Sequence, residues 1–214
     1  MDGIIYALFV SISIPILLMA LLVEKKSRLP ITFILIGIFV SVFASEVNGL
    51  LARMLSMDMY SVTTIVTPVT EELLKMLPIL YYAIVISDKK EKLFTASMAI
   101  GIGFAILENA FYLLNYPKFT MLSAVIRAFG AGLMHGMCTL LVGIGISFVK
   151  KKSKLFAVGT FGLLSTAIVY HGIYNILIQS EYSMIGALLP IATYIPFIVW
   201  RIKHKKVKSM ETKK

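Results

Sequence analysis

The sequence predicts an all-α protein, a polytopic transmembrane bundle of about seven spans with its N-terminus outside and its C-terminus in the cytoplasm. Three observations carry that expectation. The 214 residues are 58% hydrophobic and only 15% charged, with a mean hydropathy of +0.88, which is too apolar for a water-soluble domain. The apolar residues come in runs of roughly 20, the length that crosses the hydrocarbon of a bilayer as a helix. Lys and Arg collect in alternate connections between those runs, the pattern that orients membrane helices.

Taken in order, the spans fall at roughly 4–23, 30–51, 61–86, 93–114, 120–149, 155–179 and 182–200. The first follows Met1-Asp2-Gly3 with no basic region before it and no small-residue cleavage site after it, so it is expected to be retained. Lys25, Lys26 and Arg28 follow the first span; Lys89, Lys90 and Lys92 follow the third; Lys150, Lys151, Lys152 and Lys154 follow the fifth. The rest lie between Arg201 and Lys214, which leaves Arg53, Lys75, Lys118 and Arg127 as the exceptions. The positive-inside rule makes the basic side cytoplasmic. The formal charge of +10 is thereby an orientation signal, and nucleic acid is not an expected partner. One integral membrane domain occupies residues 1–200, and the tail 201–214 is expected to lie against anionic lipid head groups. Cys138 is the sole cysteine, so no internal disulfide forms, and a thiol buried in an apolar span is expected to be inert.

The third span carries Glu71-Glu72-Leu73-Leu74-Lys75 inside a run that is otherwise apolar from Ile65 to Ile86. A charge at such depth costs several kcal/mol and marks a functional site unless it is paired for structure alone. Helical spacing puts Lys75 one turn from Glu71 and near the face of Glu72, so it holds one carboxylate ionised and leaves the other free to take a proton.

Four more polar positions fall inside spans: Glu108 in FAILENAFYLL, His135 in GAGLMHGMCTL, and His171 with Asn175 in YHGIYNILI. Glu46 and Asn48 fall nearer the outer interface, where solvation accounts for them. At about 1.5 Å per residue, Glu71 and Glu72 lie about 15 Å, Glu108 about 9 Å and His171 about 12 Å below the outer ends of their spans. His135 is similarly deep. Four helices thus deliver polar groups to one level in the outer half of the bilayer. Phe104 stands one turn before Glu108, and His171 one turn before Asn175. Gly101, Gly103, Gly130, Gly132 and Gly136 offer small surfaces for close helix approach around them.

In this order, Glu-Glu-x-x-Lys at 71–75, Phe-x-x-x-Glu at 104–108, His135 and His-x-x-x-Asn at 171–175 resemble the PrsW family of intramembrane proteases. That family is grouped with the CAAX prenyl endopeptidases and bacteriocin-processing membrane proteases. The likeness covers about residues 61–180, the expected catalytic core, and GFAILENAFYLL and HGIYNIL extend it. Asn175 departs from it, since PrsW proteins often carry Asp there and CAAX enzymes Asn. Glu108 stands where CAAX enzymes have His, which favours PrsW. The resemblance implies hydrolysis of a peptide bond in or at a bacterial plasma membrane. It further implies a single-span partner, an anti-sigma factor cut first on its extracytoplasmic side in a stress response.

The mechanism expected from these residues has Glu71 or Glu72 as general base for water, Glu108 relaying the proton, His171 and Asn175 stabilising the oxyanion, and His135 orienting water or substrate. No Ser-His-Asp set, Cys-His pair or His-Glu-x-x-His helix is present to support another protease class. A metal-free site with no cofactor is the first expectation; two His and up to three Glu also suit zinc. The alternatives are a CAAX-type prenyl-protein endopeptidase, whose substrates would be cytoplasmic, and a proton-coupled transporter, which would spread its polar groups through both leaflets.

Overall fold

A computed structural model describes residues 2–115, 120–149 and 153–196. The basic tail 201–214, the end of the expected seventh span, Lys118 and Lys150 to Lys152 lie outside the described residues. The described residues form helices and no strand. In chain order they are α1 (Asp2–Leu22), α2 (Lys25–Leu55), α3 (59–86), α4 (Lys90–Asn115), α5 (Met121–Ile146), α6 (Ser153–Ile178) and α7 (Ser183–Pro196).

Each expected span coincides with a helix, and among the described residues five, α1, α2, α4, α5 and α6, are long and apolar enough to cross a membrane by length and composition. Of α7, only Ser183–Pro196 lies among the described residues, and that stretch is apolar. α3 is continuous but irregular: a turn at Met59–Ser61, a π-helical stretch Val62–Val66, an α-helix Thr67–Tyr81 and a second π-helical stretch Tyr82–Ile86. Its start is capped by Asp58, whose carboxylate accepts from the Ser61 backbone N–H at 3.0 Å and from the Ser61 hydroxyl at 2.6 Å.

Proline explains the upper irregularity. The Thr67 N–H bonds back to Val62 O, an i to i+5 step. In that register the Thr63 carbonyl would next receive from residue 68, which is proline and has no N–H. A part-buried carbonyl left open within a packed bundle needs another donor. Asn175 of α6 supplies it, Nδ2 to Thr63 O at 2.9 Å.

α2, α4, α5 and α6 pack in succession, α3 lies against all four, and α1 is peripheral, covering chiefly α2. Arg28 ties α1 to the next helix by donating to the carbonyls of Val23 and Leu21 at 3.2 Å each. Glycine sets the tightest approaches. A side chain at Gly37 would collide with the backbone of Ile100, and one at Gly103 with Ile34, so α2 and α4 meet backbone to backbone. A side chain at Gly101 would collide with the backbone of His135 and Gly136, which joins α4 to α5 beside the polar cluster. Gly132, expected to serve the same purpose, faces open space.

Candidate active site

Pro68 and Pro78 bracket the charged stretch of α3, and between them Glu71, Glu72 and Lys75 are all buried. Lys75, at 0% exposure, is the hub. Its ammonium donates to Glu72 Oε1 at 2.6 Å and to His135 Nδ1 at 2.9 Å, and stands 4.6 Å from the centre of the Phe104 ring. An ammonium has only hydrogens to offer, so Nδ1 of His135 accepts and Nε2–H donates, to Glu108 Oε2 at 2.7 Å. On the other side of the hub, His171 Nδ1 lies 2.9 Å from the same Glu72 oxygen. In a neutral ring with that N–H given to Glu72, Nε2 carries the lone pair. Facing it at 3.9 Å is Glu71 Oε2, a buried oxygen with no hydrogen-bond partner.

The residues expected from the sequence thus divide. Glu71, Glu72, Lys75, Glu108, His135 and His171 converge from α3, α4, α5 and α6, and the Phe104 ring and the two imidazoles pack at 4.9 Å centre to centre. Asn175 does not join them; its amide N–H is given to Thr63 O. Glu46 accepts from the Tyr6 hydroxyl at 2.8 Å, and Asn48 accepts from the Thr70 hydroxyl, and neither bond is to a residue of the cluster. Cys138 is buried with its thiol toward Ala167 O at 3.5 Å.

Arg127, which the sequence reading set aside as an exception to the charge pattern, also reaches the cluster. Its Nη2 is 3.8 Å from Glu108 Oε1, and its guanidinium lies 3.5 Å above the Tyr112 ring. The signal was present, since Arg127, Ala131 and His135 succeed one another at four-residue steps along one side of α5. Glu108 is the most accessible acid of the cluster, its side chain 33% exposed against 0% for Glu72 and 7% for Glu71.

A family model described as PrsW family intramembrane metalloprotease matches residues 25–201. The chain belongs to the PrsW family. No curated protein and no solved structure shows a match to it. As a PrsW-family member it is a membrane-embedded protease, a hydrolase with several apolar helices, and it works on membrane protein in a lipid environment.

The family's description as metalloproteases is met by donors in this chain. Glu71, His135 and His171 each bring one ligand atom to within 4.8 Å of the others, and all three are buried. The unpartnered Glu71 oxygen and the Nε2 lone pair of His171 are two acceptors turned toward one another, an arrangement that a shared cation relieves. Glu72, holding the far nitrogen of His171, is the supporting carboxylate such a ligand ordinarily has. His135 completes the set on release of one of its two present partners, Lys75 or Glu108.

Proposed function

We propose that this PrsW-family chain is a zinc-dependent endopeptidase that cuts a single-span membrane protein near its extracytoplasmic face, an anti-sigma factor in a bacterial plasma membrane. The observation that carries the reading is the facing pair Glu71 Oε2 and His171 Nε2 at 3.9 Å within a buried Glu71, His135 and His171 triad. In this reading α3 and α7 also cross the bilayer, giving seven spans with the N-terminus outside, and the tail 201–214 anchors on cytoplasmic lipid.

Glu71, His135 and His171 would hold the metal, which supplies Lewis acidity toward a carbonyl and acidity to a bound water. The weight thereby moves from the metal-free mechanism of the sequence reading to its zinc alternative. The two adjacent carboxylates take different work. Glu72 Oε1 already receives hydrogen bonds from Lys75 and His171, so it orients and balances charge and is a poor base. Glu108 reaches the open edge of the cluster, and its contact with Arg127 at 3.8 Å is loose, so it is the carboxylate placed to accept the proton of the attacking water. His135, donating to Glu108, orients that base. Asn175 holds α6 to α3 through Thr63.

The test is co-expression with a tagged single-span anti-sigma factor, comparing wild type with Glu71→Gln, Glu108→Gln and His171→Ala at equal membrane levels. Cleavage by wild type alone is the expected result. Cleavage by all four proteins alike would make the cluster a structural ion-pair network and remove the reading.

A further inference from the structure

Two buried donors beside the cluster have no hydrogen-bond partner among the described residues: Nε of Arg127 and the hydroxyl of Tyr174, the latter on a residue only 2% exposed. Buried polar groups in folded proteins are ordinarily satisfied, and the exceptions call for a cause. These two are neighbours. A side chain added at Gly130, three residues beyond Arg127 on α5, would meet the Tyr174 hydroxyl at 3.4 Å and the Ala187 carbonyl at 2.8 Å. Ala187 and Arg127 both line a cleft of about 260 Å³, together with Tyr112, Ser123, Ile178 and Ser183. The cleft lies where α4, α5, α6 and α7 come together at one end of the bundle, and Arg127 connects it to Glu108.

We propose that this cleft is a substrate subsite that takes an extended stretch of polypeptide next to the bond to be cut, with Arg127 and Tyr174 as donors to its backbone carbonyls. The inference rests on the peptidase reading above. A helical segment satisfies its own carbonyls, whereas a stretch drawn out for hydrolysis carries open ones into a place where water is scarce. Arg127 on the wall of the cleft, one ion pair from the base, and the Tyr174 hydroxyl buried just behind that wall beside Gly130 and Ala187 meet that requirement. The remaining wall is largely apolar, which suits a chain recognised by its backbone and tolerant of its side chains.

The probe is a synthetic peptide with one apolar span and a polar extended flank, labelled with a fluorophore and a quencher, and the enzyme is the full-length chain reconstituted with zinc in lipid. Tyr174→Phe removes only a hydroxyl that bonds to nothing, so its melting temperature is expected to match wild type while KM rises about fivefold. Arg127→Lys keeps the charge but loses the fork, and a rise in KM of tenfold or more is expected, again falling on KM rather than kcat. Ser183→Trp, an exposed change that narrows the cleft without touching the donors, is expected to raise KM as well. Unchanged KM in all three, or a loss confined to kcat, overturns the subsite while leaving the peptidase reading in place. Wild type no more active than Glu71→Gln removes the peptidase reading, and the subsite falls with it.

Discussion

Lys75 and His135 are separated by 60 positions in the chain, yet Nζ of one stands 2.9 Å from Nδ1 of the other. The contact fixes the proton of His135 on Nε2, toward Glu108, and makes one cation serve two sides of the cluster. Because Lys75 and Glu72 are both fully buried, their pair is a condition of folding as well as of chemistry. Lys75→Met leaves a carboxylate uncompensated and is expected to cost about 3–5 kcal/mol, whereas Glu72→Gln with Lys75→Met together recover most of it. Thermal unfolding in detergent of the two variants checks this, and equal stability of single and double variants would count against the pairing.

Glu71 and Glu72 are adjacent but differently engaged, so their amide variants are expected to separate. With metal removed from all proteins, Glu71→Gln disturbs an oxygen with no hydrogen bond among the described residues and melts close to wild type; Glu72→Gln disturbs an oxygen shared by Lys75 and His171 and melts well below it. Cleavage is lost in the first without loss of protein. Melting curves at equal detergent concentration distinguish the two.

Metal content follows the same division. Wild type is expected to hold zinc on elemental analysis after purification, and Glu71→Gln and His171→Ala to lose it. Glu72→Gln, acting through the His171 ring, is expected to weaken zinc by about 10–100-fold without abolishing it. Chelation removes cleavage and zinc restores it if the site is metal-dependent; full activity in chelator returns the mechanism to a metal-free carboxylate pair.

Asn175→Ala is expected to destabilise by about 1–3 kcal/mol, because the part-buried Thr63 carbonyl loses its donor. Pro68→Ala restores a backbone N–H to α3, and the cost of Asn175→Ala is expected to shrink in that background. A double-mutant cycle on thermal stability measures the difference.

The positions of the helices are legible in the sequence because hydrocarbon thickness imposes a run length, and Glu71, Glu108, His135 and His171 stand out because charge in lipid is costly enough to be conspicuous. What escapes depends on backbone detail. Pro68 reads as an ordinary helix residue until its missing N–H is set against the π-helical register, and only then does Asn175 become the donor that Thr63 needs. Arg127 reads as a boundary charge because counting Lys and Arg assigns side chains by sequence distance, while the guanidinium reaches inward over Tyr112 to Glu108.

The π-helical stretches at Val62–Val66 and Tyr82–Ile86 act on α3 as two phase shifts. Each winds an extra residue into a turn, which rotates everything beyond it by about 100° around the axis. The angular setting of Glu71, Glu72 and Lys75 is therefore independent of the faces shown by the two ends of the same helix. Deleting one residue from the first stretch would turn the Met59 end alone, and Glu71 would keep its heading toward His171.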